Sequence, residues 1–225
     1  MSKVHWIKTG QRGARAEFSD SDLITTLLLM SNEPIGRYQL QKNLLLSDSS
    51  SKSMLNFCKK IELLETAGKK GHQLTQRGSE FVNLIEKVIL KHGICTFNFF
   101  PNMNHYFTII SSSKANNSNK EIQQVFASWK CRDIAIAYGA DSIILLQYEN
   151  GILNFPEEEM KLDDYYPDLM QYVIDEVALS THSNYYLLFV AAKEVEIARK
   201  SAIITALHSQ PNVINEIRQF FYLEK

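Results

Sequence analysis

Lys52, Ser53, Asn56, Lys59 and Lys60 form the densest set of side chains in this sequence suited to meeting a polyanion. Counted at 100° per residue, Lys52, Asn56, Lys59 and Lys60 fall on one side of a helix, with Ser53 and Phe57 at its flanks. An ammonium group serves phosphate or guanine, and a carboxamide can pair bidentately with adenine in the major groove. A second cationic pair, Lys69 and Lys70, sits between Gly68 and Gly71, a spacing that predicts an exposed turn. Arg37 is a further cationic position, able to meet phosphate or to form a salt bridge within its own domain. These residues make double-stranded DNA the expected partner.

The motifs that carry covalent or phosphoryl chemistry are missing: there is no G-x-G-x-x-G, Walker A loop, H-E-x-x-H or G-x-S-x-G. Asp133, Asp141, Asp163, Asp164, Asp168 and Asp175 are scattered, His105 and His182 border strand-like runs, and Cys131 beside Arg132 lacks a neighbouring base. The expectation is therefore a protein that is not an enzyme and needs no cofactor or metal. Three cysteines, odd in number and far apart, read as buried free thiols in a reducing cytoplasm. No apolar run reaches the ~18 residues of a membrane span, and the basic opening stretch lacks the apolar core of a secretory signal. A cytoplasmic protein without a membrane partner is expected.

The elements that must position these side chains follow from periodicity. Residues 1–17 show no period and form a basic arm carrying Lys3, Lys8, Arg12 and Arg15. Ser19 and Asp20 are good caps for a helix with Leu23, Ile24, Leu27, Leu28 and Met30 inward, ended by Pro34. A short helix follows from Gly36 to Leu45. After a polar turn, a third helix runs to about Ile61, with Ser51, Met54, Leu55, Cys58 and Ile61 as its buried stripe. Leu63–Thr66 and His72–Leu74 read as strands around the Lys69-Lys70 turn. Thr75 caps a fourth helix to about Lys91. Helix, helix, helix, strand, turn, strand, helix is the order of a winged helix-turn-helix, whose third helix fits the major groove.

His92-Gly93 is the expected domain boundary. Residues 1–92 carry 14 Lys/Arg against 9 Asp/Glu, while the remainder carries 10 against 16, so a basic first half is joined to an acidic second half. Beyond the boundary, strands are predicted at Ile94–Phe100, His105–Ser111, Asp141–Tyr148 and Gly151–Phe155. A central, doubly buried strand is predicted at Tyr185–Ala191. Helices are predicted at Lys120–Tyr138, Tyr166–Leu179 and 194–208, with a last amphipathic segment at Val213–Leu223. The fold class is α+β: a winged helix-turn-helix over 18–92, then a mixed-sheet α/β domain over 93–225 in the order β-β-α-β-β-α-β-α. Tyr165, Tyr166, Tyr172, Tyr185, Tyr186 and Phe189 can line a pocket for a small-molecule effector or form ordinary core.

Several stretches resemble uncharacterised archaeal winged-helix proteins that carry a C-terminal domain of unknown function. In the first half these are Gly13–Phe18, Ile35–Leu40, Leu63–Thr66 and Gly71–Gly78. In the second they are Arg132-Asp133, Gly139-Ala140-Asp141, the hairpin GILNFP and Ala202–Leu207. The resemblance implies a transcription-regulator-like protein and brings no chemistry of its own. This chain departs from the pattern in three places. The turn before the third helix is Ser47-Asp48-Ser49, Lys52 stands where an Arg is usual, and Glu62 stands where a Gly commonly closes the helix. The expected function is a DNA-binding transcriptional regulator, forming a homodimer because two half-sites supply the affinity one module lacks. The alternatives are an interaction adaptor that uses the winged helix as a docking surface, and an enzyme with an unrecognised site in the second half.

Overall fold

The computed structural model describes residues 18–112, 127–149, 151–156, 162–177 and 184–220. The basic arm over 1–17, the start of the helix expected from Lys120, Asn150, most of the acidic loop and His182 lie outside them. The class is α+β, and the chain divides into two compact units. The first comprises residues 18–87 together with 211–220; the second comprises 88–210.

The first unit opens with α1 (Asp20–Leu29), capped by Ser19. The Ser19 hydroxyl accepts from the Asp22 backbone at 3.2 Å, while the Asp22 carboxylate accepts the Ser19 N–H at 2.8 Å. Two further helices follow, α2 (Arg37–Leu44) and α3 (Asp48–Lys60), joined by three residues. Strands β1 (Leu64–Thr66) and β2 (His72–Leu74) pair antiparallel around a 3₁₀ turn at Gly68–Lys70. Ile35 adds a bridge on the other side of β2, exchanging backbone hydrogen bonds with His72 at 2.9 and 3.0 Å. Helix α4 (Gln76–Glu86) starts at Thr75, whose hydroxyl accepts from Gly78. Leu23, Ile24, Leu27, Leu40, Leu44, Met54, Leu63, Phe81 and Ile85 are fully buried in this unit.

Two backbone positions set how α3 and α4 meet the hairpin. Glu62 has φ +60°, and α3 closes on it as a Schellman motif: Leu63 N–H reaches the Cys58 carbonyl at 2.9 Å and Glu62 N–H reaches Lys59 at 3.1 Å. A β-carbon on Gly78 would collide with the Leu63 carbonyl oxygen, so only glycine lets α4 start this close to β1.

In the second unit, β3 (Ile89–Cys95), β4 (Asn104–Ser111), β5 (Ser142–Glu149), β6 (Ile152–Asn154) and β7 (Tyr185–Ala192) form one sheet in the order β3-β4-β7-β5-β6. The apolar β7 run is central, as its composition requires. Every pairing among the described strands is antiparallel, where a mixed sheet was expected. Helices α5 (Ser128–Ala137) and α8 (Val195–His208) pack on one face. The short α6 (Leu162–Tyr165) and α7 (Pro167–Tyr172), with a π-helical turn at Val173–Val177, cover the other. There Leu162, Leu169, Val173 and Val177 join Phe107, Ile109, Leu146, Leu187 and Phe189 in one cluster. The expected single helix at Tyr166–Leu179 is thus a proline-started α-helix that widens into a π turn.

Two sequence boundaries need correction. The fourth helix does not reach Lys91, and His92-Gly93 lies inside β3. Val88 and Ile89 continue the helical period from Ile85, yet Ile89 pairs with Ile110. Tertiary pairing overrides a period that both readings satisfy. The strand expected at Ile94–Phe100 therefore begins five residues earlier. The final helix, α9 (Pro211–Phe220), belongs to the first unit: Phe220 meets Phe81 edge-on at 5.5 Å, and its carbonyl accepts from Arg77 at 3.1 Å. Its amphipathic pattern specified a buried face and carried no information on which core receives it.

Glu62→Gly is expected to stabilise the first unit by about 1 kcal/mol, because glycine adopts the left-handed conformation without a β-carbon penalty. Gly78→Ala is expected to cost about 1–3 kcal/mol by overpacking. Urea denaturation of the two variants beside the parent checks both signs.

Candidate nucleic-acid interface

Burial fixes the rotation of α3. Ser51, Met54, Leu55, Cys58 and Ile61 are all buried, and burial pushes the Cys58 thiol up to about 12, so it is an inert core group. The opposite side of the helix presents Lys52, Ser53, Asn56 and Lys60 exposed and Lys59 half-buried. All five side chains named from the sequence therefore emerge from one helix. Lys69 and Lys70 are exposed on the 3₁₀ turn between β1 and β2.

The start of α3 is tied to α2. Asp48 accepts from Arg37 Nε at 3.3 Å and from Gln41 Nε2 at 2.7 Å, and Ser47 caps the helix by accepting from Ser50 N–H. Arg37 also lies over the Tyr38 ring at 5.3 Å, and Tyr38 is 74% exposed. Arg37 is thus engaged within the unit. Its role in the structure is to hold the α3 N-terminus, an arrangement that Asp48, eleven residues away, did not announce in the sequence. The turn between the helices runs through Leu45 at φ +55°, an exposed leucine in a conformation that favours glycine or asparagine.

The hairpin is held against the helices by backbone. Gly71 approaches Ile35 so closely that a β-carbon would strike the Ile35 carbonyl oxygen, and Ala67 N–H reaches the Gly71 carbonyl at 2.8 Å. His72 on β2 senses α3: burial lowers its pKa first, the nearby Lys59 cation lowers it further, and the Glu65 backbone opposes both. Tyr38, Asp48 and His72 are contributors that periodicity alone does not reveal.

The second unit offers different chemistry. Of the two readings open to the six aromatic residues, a pocket or ordinary core, Tyr185 and Phe189 follow the second. Tyr185 and Tyr186 are neighbours on a strand and so face opposite sides of the sheet. Tyr185 stacks on Tyr148 at 4.6 Å within the buried cluster that also holds Phe189, while Tyr165 and Tyr166 are exposed. An open groove of about 360 Å3 is lined instead by Ser128, Trp129, Arg132, Ile143, Ile144, Leu145 and Phe155. Elsewhere His92 Nδ1 and the Tyr106 hydroxyl lie 2.7 Å apart, with the Arg199 guanidinium over the Tyr106 ring at 5.7 Å. Burial, then Arg199, lowers the His92 pKa, and the His92–Tyr106 contact ties β3 to β4. His105 is structural as well: its Nε2 accepts the Phe100 N–H at 3.1 Å. All three cysteines are buried thiols, and none of them forms a disulfide. Among the described residues no group of three or more His, Cys, Asp or Glu is placed to hold a metal, and no helix is long and apolar enough to cross a membrane.

A family model described as a domain of unknown function (DUF4443) matches residues 106–221. No curated protein matches the sequence. Among solved structures, the hypothetical protein PH0730 from Pyrococcus horikoshii OT3 is similar in fold. It has a TM-score of 0.69 and 21% identity over 91% of this chain and 100% of that one.

Lys59→Met is expected to raise the pKa of the His72 imidazole, followed by NMR titration. Because the folded value lies below the ordinary one, His72 contributes stability that is fully present above about 6.5 and is lost as pH falls through the window below it. His72→Gln should flatten that loss. An unmoved His72 titration in Lys59→Met would show that the helix cation does not act on β2.

Proposed function

The chain belongs to the DUF4443 family, whose description assigns no activity and whose match begins at residue 106; from the geometry of the first unit we propose that it is a winged helix that binds double-stranded DNA. The observation that carries this reading is the side of α3 opposite the core, where Lys52, Ser53, Asn56 and Lys60 are all exposed while Met54, Leu55 and Cys58 are buried. A helix locked in this rotation can enter a major groove about 12 Å wide with its polar side toward the bases. Asn56 has the donor and acceptor to read adenine, and the lysines supply phosphate contacts and less directional contacts to guanine. Lys69 and Lys70, on the turn between β1 and β2, reach a neighbouring backbone. Arg37 acts by positioning: its bond to Asp48 orients the first turn of α3, whose positive dipole end suits phosphate.

The bases read are few and the cations are lysines, so the reading calls for strong electrostatic binding with modest sequence preference. In this reading the second unit serves dimerisation or effector binding, the protein works in the cytoplasm, and its role is transcriptional regulation.

Binding of the full chain to a fluorescent duplex should weaken steeply with salt, with log K falling against log [salt] at a slope of about −4 to −6, near −0.9 for each phosphate neutralised. Lys52→Ala, Lys60→Ala and Lys70→Ala should each flatten that slope by about one. Asn56→Ala should instead reduce discrimination between duplex sequences while leaving the slope in place. No binding to any duplex at low salt, or slopes untouched by the lysine changes, would overturn the proposal.

A further inference from the structure

Helix α5 carries a second stripe that no described element of its own unit covers. Cys131 and Ala135 face the sheet and are buried. Trp129 and Ile136, by contrast, are 60% and 50% exposed, and Arg132 and Asp133 between them have side chains 61% and 42% exposed. At 100° per residue these four positions share about 100° of arc on the helix surface. Two large apolar side chains on an outward face are costly to leave in water, and the charges between them approach each other only at 4.0 Å, the loose geometry of sequence neighbours.

The order of the stripe identifies what covers it. Read forward it is apolar, cation, anion, apolar; read backward it is apolar, anion, cation, apolar. A second copy laid antiparallel across a two-fold axis between Arg132 and Asp133 therefore sets Trp129 against Ile136 of the other copy. The same axis sets Arg132 against Asp133 of the other copy, each contact made twice. We propose that this chain self-associates through α5 in that arrangement, as an isologous dimer. A closed two-fold contact requires a surface complementary to itself, and this stripe meets that requirement in the order of its apolar and charged groups. The open groove beside it supports the same occupant. Trp129 and Arg132 line it together with the apolar Ile143, Leu145 and Phe155, which offers Ile136 of the second copy an apolar seat beyond the helix contact. A peptide or small ligand would have to bring its own matching anion, cation and apolar groups in this order; a second copy brings them by construction.

The interface is small, so the association is weak, with Kd on the order of 10 µM. It stands apart from DNA binding, since none of its residues belongs to the first unit. Sedimentation velocity of the full chain between about 1 and 100 µM tests it, together with a charge-swap cycle. Arg132→Asp places two anions across the axis and Asp133→Arg places two cations; each should raise Kd about tenfold, from two exposed pairs lost. The double variant reverses both charges in both copies and should return Kd to within about threefold of the parent. Ile136→Glu should leave monomer throughout. If that variant misfolds by circular dichroism, the swap cycle decides alone. A parent that stays monomeric at 100 µM, single variants that associate as the parent does, or a double variant no better than the singles would each overturn the proposal.

Discussion

Burial of one stripe of α3 is the constraint on which the rest of the first unit depends. Met54 and Cys58 are fully buried, with Leu55 and Ile61 nearly so, and each side chain of this kind stabilises the fold by roughly 1.5–3 kcal/mol. Turning the helix by even a third of a turn would expose part of that stripe and bury lysine. The polar side of α3 is thus chosen by the core, and the two ends of the helix are fastened to keep it so. Asp48 is held by Arg37 and Gln41 of α2, and the far end closes through Glu62 onto a wholly buried Leu63. The hairpin depends on the same frame, because Leu63 leads into β1 and β2 is bridged to Ile35 just before α2.

The chain carries local strain at two points whose backbone conformation favours glycine. Leu45 and Glu62, which bracket α3 on either side, both have positive φ. Surrounding burial over-determines the two conformations, since Leu44 and Leu63 are fully buried beside them. The second unit solves a different problem. A five-stranded antiparallel sheet has two apolar faces, and both are covered, by α5 and α8 on one side and by α6, α7 and the π turn on the other. Among the described residues, large apolar side chains stay exposed on the outer side of α5, at Trp129 and Ile136, and on β3, at Leu90 and Ile94.

Where one period dominated, the sequence was legible. The α3 stripe was read residue by residue because a 3.6-residue repeat leaves no second interpretation over thirteen positions. The all-apolar run at β7 marked the centre of the sheet for an equally simple reason, burial on both faces. The β1–β2 turn was read from its flanking glycines, and Gly71 does take a positive φ. Reading failed where two elements compete for the same residues or where the partner is remote. Val88 and Ile89 fit helix and strand alike. The partner of α9 lies more than 120 residues back in the chain, at Arg77 and Phe81. The Arg37–Asp48–Gln41 contact joins side chains whose types are unremarkable one by one.

On the proposed function, the core dictates which side of α3 would meet DNA. Backbone amide shifts of the isotope-labelled full chain, followed by NMR during titration with a short duplex, test it most directly. The account predicts perturbations concentrated on residues 47–60 and 67–71, with the buried α1 and the β4–β7 centre of the second unit unmoved. Perturbations confined to the second unit or to the α4–α9 side of the first, or no perturbation at saturating duplex, would contradict it.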